Sequence, residues 1–203
     1  MRGDLIIHNG KAWAAVHAFC YADYLSFDIM VFEVVCMAKA EKSWSGMRKY
    51  LEQEMLAPAL SGRIRYDCAA YPGAQSAIRF QVFVDGERIS QFSMETMAKA
   101  FYSGEKPADI RQFWSNYWEI KKTTEISERG VHDDLEFASA LKHYRSLDIG
   151  AALASENPIV RMFAILDRRV GKRTLIRLKE HIHTQPQWLQ FYYRLRLTAE
   201  GIV

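Results

Sequence analysis

Three cysteines in 203 residues leave little room for a disulfide scaffold. Cys20, Cys36 and Cys68 form neither a CxxC pair nor an even framework, so a reducing cytoplasm is the expected compartment. The chain also lacks a membrane-length run free of charge. Residues 12–38 are its most apolar stretch and contain no Lys or Arg, yet Asp23, Asp28 and Glu33 interrupt them. Three carboxylates inside a bilayer would be very costly, which argues against a transmembrane helix. The same acids, and the want of an AxA-like cleavage site, fit a signal peptide poorly. Catalytic signatures are missing too: there is no GxSxG, no HExxH and no Cys/His nucleophile pair in a recognisable context. The segment Gly171-Lys172-Arg173-Thr174 invites comparison with a phosphate loop, but Leu166 stands where the first glycine of that motif belongs.

What is present reads as an ordinary globular balance, with 49% hydrophobic and 25% charged residues and a mean hydropathy of -0.20. Residues 42–66 form a start-of-domain unit. Ser43 or Ser45 can cap a helix whose apolar positions Met47, Tyr50, Leu51 and Met55 recur at helical spacing, with Pro58 ending it and Ser61-Gly62 turning the chain. Residues 1–36 look different. They are either a helix packed on the domain or an extension from a misplaced start, and Met37, heading the solvated run MAKAEK, favours the second reading.

Strand signals follow. Ile64, Tyr66, Cys68 and Ala70 alternate with Arg63, Arg65 and Asp67, and Pro72-Gly73 marks a turn. Ile78, Phe80, Val82 and Val84 share one face of a second strand, and Asp85-Gly86 is a strong hairpin signal. A third strand returns with Ile89 and Phe92 toward the core. Ser93 caps the next helix, and Pro107 opens another bearing the aromatic stripe Phe113, Trp114, Tyr117 and Trp118, which reads as a core face. Residues 121–134 are polar and make the expected loop or linker. Beyond them every segment reads as helical, with Pro158 and Pro186 at helix starts and an aromatic last helix expected at the centre of that part. The predicted fold class is therefore α+β: an N-terminal helix, a three-stranded antiparallel meander with covering helices, then an all-helical C-terminal part. The corresponding division is 37–120, 121–134 and 135–203, the last packed on the first as one unit.

Charge is unevenly spread. From residue 157 onward nine Lys/Arg stand against three acids, a net of +6 in a chain whose total is +3. That asymmetry points to a polyanionic partner, with a solvated helix face as the plainer alternative. Candidate contacts are Arg161, Arg168, Arg169, Lys172, Arg173 and Arg177, joined by Arg63 and Arg65 on the polar face of the first strand. Arg169, Arg173 and Arg177 follow at four-residue spacing, which on one continuous helix makes a stripe for a phosphate backbone, unless Gly171 splits it. Asp167 is expected to pair with Arg173 or Lys172 across that bend. His132-Asp133-Asp134 with Glu136 could offer metal ligands, but a solvated acidic cap explains them as well; His181 and His183 diverge on a helix and cannot share a metal. No cofactor and no catalytic residue is assigned.

The blocks KSWSGMRKYLEQEML, GRIRYDCAAYPG, FVDGERISQFS, NPIVRMFAILDRRVGKRTL and QFYYRLRLTAEG resemble a family of small bacterial proteins of unknown function. The resemblance covers roughly residues 37–203. It implies a bacterial, cytoplasmic, self-standing protein and transfers no functional residue. The preferred functional reading is a non-enzymatic binding protein that contacts a polyanion such as nucleic acid. The alternative is an enzyme whose arginine clusters clamp a small anionic substrate.

Overall fold

A computed structural model describes residues 43–70, 78–101, 118–119, 121 and 130–202. Outside them lie the expectations for residues 1–36 and Met37, the Pro72-Gly73 turn, the helix start at Pro107, the stripe residues Phe113, Trp114 and Tyr117, and the 122–129 part of the polar loop.

Helix α1 (Trp44–Lys49) is capped by Ser43, whose Oγ accepts from the Gly46 amide at 3.3 Å. It runs directly into a π-helical turn, Tyr50–Met55. Met47, Leu51 and Met55, four apart, are all buried. Ala57 is extended, as a residue before proline prefers, and Pro58–Leu60 forms a single 3-10 turn. The Ala57 amide donates to the Leu166 carbonyl at 2.9 Å and the Arg168 amide to Met55 at 2.8 Å. Two short backbone bonds thus tie the N-terminal helix to the helical part more than a hundred residues later in the chain.

The sheet is antiparallel in the order β1 (Ile64–Ala70), β2 (Ile78–Val84), β3 (Glu87–Phe92). Asp85 and Gly86 have φ of 53° and 88°, the paired left-handed conformation that a tight two-residue hairpin requires. Phe80, Val82 and Val84 are buried and Ile78 partly so, which is the predicted register. Strict alternation cannot place both Ile89 and Phe92 inward, since they are three apart. A register shift opposite Val82 and Phe83 leaves Ile89 as an extra residue, and it packs partly buried against the core while Phe92 is fully enclosed. The outer edge of β1 is closed by carboxylates: the Tyr66 amide donates to Glu52 at 2.7 Å and the Cys68 amide to Asp67 at 2.9 Å. Such closure protects an edge strand from pairing with another chain.

Helix α2 (Met94–Phe101) starts at Ser93, whose Oγ accepts from the Thr96 amide at 3.1 Å. The remaining helices are α3 (Asp134–Ser146), α4 (Ile149–Leu153), α5 (Pro158–Leu166), α6 (Lys172–Lys179) and α7 (Gln187–Ala199). The last helix is not the central one. All of α5 except Arg161 is buried, with α3, α4 and α7 packed around it, whereas α7 leaves Phe191, Arg194 and Thr198 exposed. Sequence aromaticity pointed to α7 because tyrosines carry much apolar area; the aliphatic run of α5 is what can be enclosed on every side. One hydrophobic cluster extends from Met47 through the inner sheet face to Leu197, with Phe80 stacked on Phe137 at 4.5 Å and Phe163 edge-on to Phe137 at 5.3 Å.

A cationic groove beside helix α6

The residues that frame the groove begin where α5 stops. Asp167 extends the chain after Leu166 and is almost wholly buried, at 1% exposure. Its Oδ2 accepts Arg169 Nε at 2.8 Å and Nη2 at 2.6 Å, together with the Tyr144 hydroxyl, and its Oδ1 accepts the Arg169 amide at 2.7 Å. Burial, then the hydrogen bond to Asp167, pushes the Tyr144 hydroxyl far above its ordinary range, while Asp167 raises the Arg169 guanidinium further still. Asp167 therefore pairs with Arg169 rather than with Arg173 or Lys172. A turn places Arg169 two residues from the buried acid, and the fork geometry of a guanidinium fits that reach.

Gly171 then begins a helix instead of ending one: it is the residue before α6, and α5 has already stopped at Leu166. Arg169 thus lies outside α6, and the stripe with Arg173 and Arg177 is broken. On α6 itself, Leu175 is buried, and Lys172, Arg173, Ile176, Arg177 and Lys179 are exposed. Thr174, Leu178 and His181 turn toward α4 and meet Ile149, Gly150, Leu153 and Ala154 across a groove of about 410 Å³. Arg169 and Arg177 line it from either side of the bend, with Val170 between elements. The broken stripe is in part rejoined across space, and among the described residues no carboxylate lines the groove. His181 and Thr174 were not chosen from sequence as anion contacts; Thr174 and Leu178, four apart on α6, and His181 just past its end reach the same groove.

The other sequence candidates have partners of their own. Arg161, half-buried, gives Nη1 to the carbonyls of Ser155 and Glu156 at 2.6 and 3.2 Å, closing the turn before α5; burial lowers its pKa. Arg63 forks onto Asp85 at 2.9 and 2.6 Å. Arg65 lies 4.1 Å over the Phe83 ring, its cross-strand neighbour, and 3.7 Å from Asp67. That stacking supplies the cover Phe83 needs on the outer sheet face. Arg79 stands opposite Ala69, four residues along β1 from Arg65, so the register does not gather Arg63, Arg65 and Arg79 into one patch. Neither Arg63 nor Arg65 lines the groove. Arg196 is buried at 2% exposure, donating to the Val170 carbonyl at 3.0 Å and facing Glu200 at 3.2 Å.

A second charged cluster sits where α2 meets α3. Asp133 caps α3 in a reciprocal box with Glu136, the two backbone-to-carboxylate bonds measuring 2.8 and 3.1 Å. The cap is the expected one, but it is enclosed where a solvated cap was expected. His132, Asp133, Asp134 and Glu136 are all buried. Lys121 donates to Asp133 and lies 3.9 Å from Glu136. His132 Nδ1 is 3.4 Å from Glu136, its ring wedged between Phe92 and Trp188. Asp134 accepts from the Met94 amide at 3.3 Å, and burial followed by the neighbouring Asp133 lifts its pKa from 3.8 to about 7. Among the described residues no group of His, Cys, Asp and Glu is arranged to hold a metal ion.

These features describe a small α+β protein with an open cationic groove on its helical side. Among the described residues no helix is long and apolar enough to cross a membrane. A family model matches residues 43–197, and the chain belongs to the SF0329 protein family. Comparison with curated proteins and with solved structures gives no match.

Proposed function

We propose that this chain is a cytoplasmic binding protein that holds a polyanion such as nucleic acid against the exposed face of α6 and the turn before it. The observation that carries the reading is the state of five cations. Arg168, Lys172, Arg173, Arg177 and Lys179 are all exposed, and none has an ion-pair partner among the described residues. A side chain engaged with a carboxylate adds little net charge against a phosphate, whatever donors it leaves free; these five remain available to release counterions on contact. The enzyme alternative draws less support. Of the acids next to groove residues in sequence, Asp167 is committed to Arg169 and Tyr144, Asp148 caps α4, and Glu180 is exposed, as is His181 at the groove.

Titration of the intact protein with duplex DNA over a range of salt tests the reading. Each phosphate contact adds about 0.9 to the log–log salt slope, so three contacts give a slope of about −2 to −3. Replacing Arg168, Lys172 and Arg173 together by Gln should flatten that slope and weaken binding alike for all sequences, since backbone contacts carry no base information. Absence of binding at low salt, or equal binding by the triple variant, refutes the proposal.

A further inference from the structure

The α4–α6 groove has a composition that phosphate contact alone does not use. Its cations, Arg169 and Arg177, and the His181 imidazole stand beside aliphatic walls made by Ile149, Leu153, Val170 and Leu178. A phosphate gains nothing from such walls, because moving it against apolar surface costs hydration without returning a hydrogen bond. A duplex turns its phosphates outward and keeps its bases stacked inside, so it can meet only the cations. An unpaired strand can do both at once, setting a phosphate on the guanidinium groups while a base leaves water for the aliphatic floor. The groove volume of about 410 Å³ lies within the range of sites that take small organic groups, roughly 300 to 1,000 Å³.

Arg169 strengthens the case by being held in place. Nε and Nη2 are fixed on buried Asp167 and Nη2 also meets the Tyr144 hydroxyl at 3.3 Å, so a groove-lining guanidinium is held in place with its Nη1 outside these bonds. A guanidinium already ordered loses little further entropy on binding. Arg177 sits at the rim, shared between the groove and the exposed face of α6. Charge complementarity selects the occupant: Arg177, without an ion-pair partner among the described residues, calls for an anion, Arg169 adds a donor beyond its bonds to Asp167, and the aliphatic floor calls for an anion carrying a flat, weakly hydrated body.

We propose that this groove seats one unpaired nucleotide, so that the protein prefers single-stranded nucleic acid over duplex. The inference rests on the polyanion reading above and adds the form of the ligand. The test is fluorescence anisotropy at about 50 mM salt, comparing a labelled thymidine strand of about 16 nucleotides with a duplex of equal length. The intact protein should bind the single strand about tenfold more tightly, equivalent to roughly 1.4 kcal/mol. Ala154, exposed on the groove wall, gives the decisive variant. Ala154→Trp should fill the groove, lower single-strand affinity to the duplex level and reduce the single-strand salt slope by about 0.7, the share of the phosphate contact it displaces. Should the intact protein bind neither nucleic acid, the polyanion reading itself fails. Equal binding of both forms, or a strand preference that survives Ala154→Trp in a protein with an unchanged melting profile, overturns the groove assignment alone. Polyglutamate that binds as tightly as the strand, and is lost with Ala154→Trp, also overturns it in favour of an acidic peptide.

Discussion

The two charged clusters of this protein differ more in burial than in composition. At the α2–α3 junction, His132, Asp133, Asp134 and Glu136 are enclosed; the three acids accept from backbone amides, Asp133 also from Lys121, and His132 lies 3.4 Å from Glu136. Around α6, Lys172, Arg173, Arg177 and Lys179 face water without ion-pair partners among the described residues. Between them stands the Asp167–Arg169–Tyr144 group, buried on the acid's side and open on the arginine's. Charge that is paired and enclosed holds elements together. Charge left outside is what a partner can use. Counting Lys and Arg along a segment merges these populations.

The largest expected effect tests where Arg169 belongs. Arg169→Ala would leave Asp167 buried with only the Tyr144 hydroxyl and a backbone amide, and should destabilise the fold by about 3–5 kcal/mol, whereas Arg173→Ala should stay within about 0.5 kcal/mol. Urea unfolding of the two variants measures the contrast, and equal costs would erase the distinction between the regions.

A somewhat smaller loss is expected at the junction. Asp133→Ala removes the α3 cap and the partner of Lys121, and should cost about 2–3 kcal/mol in the same assay. A loss under about 0.5 kcal/mol would mean that the box is solvated after all.

The junction should also respond to pH. Asp134 holds its proton more tightly when folded, near 7, than in the ordinary carboxylate range at 3.8, because it is buried and beside Asp133. The unfolded chain then binds fewer protons between those values, so this group's contribution to stability falls as pH rises from about 4 to about 7 and levels off above. Lys121, which lowers this pKa, and Cys68, whose thiol is pushed up to about 11 by burial and by nearby Asp67 and Asp134, face the same space. Asp134→Asn, which keeps an acceptor for the Met94 amide, should flatten that part of the curve; urea midpoints from pH 4 to pH 8 would reveal an unchanged slope if another group is responsible.

The smallest effect falls on the exposed face. Lys172→Gln should alter the melting profile negligibly and lower the salt slope of polyanion binding by about 0.9. A measurable loss of stability with no change in slope would move Lys172 into the structural population.

Much of the fold was legible because its signals are local. Alternation over Ile78–Val84 set the buried face, Asp85-Gly86 made the hairpin, and Ser93 and the Asn157-Pro158 pair marked helix starts, each acting within a few residues. The candidate site was legible only in part. Arg173 and Arg177 lie on the exposed helix that their spacing described, but Arg161 and Arg169 looked equally free in the sequence and are bound to carbonyls and a carboxylate. Ile89 and Phe92 share the core only because of a bulge, which no alternation pattern states.

By itself, the sequence determined secondary structure, caps, strand faces and the excess of cations after residue 157, since these depend on neighbours along the chain. Only tertiary structure decided which charges were enclosed and which were left to solvent. Tyr144 meets Asp167 across 23 residues, Arg196 meets Val170 across 26, and Tyr192 meets Ser90 across 102. Packing α5 at the centre brings Asp167 inward and, with it, fixes Arg169 at the groove wall. The physical reason is that desolvation and pairing depend on what surrounds a charge in space, and a residue's chain neighbours supply only a small part of that surrounding.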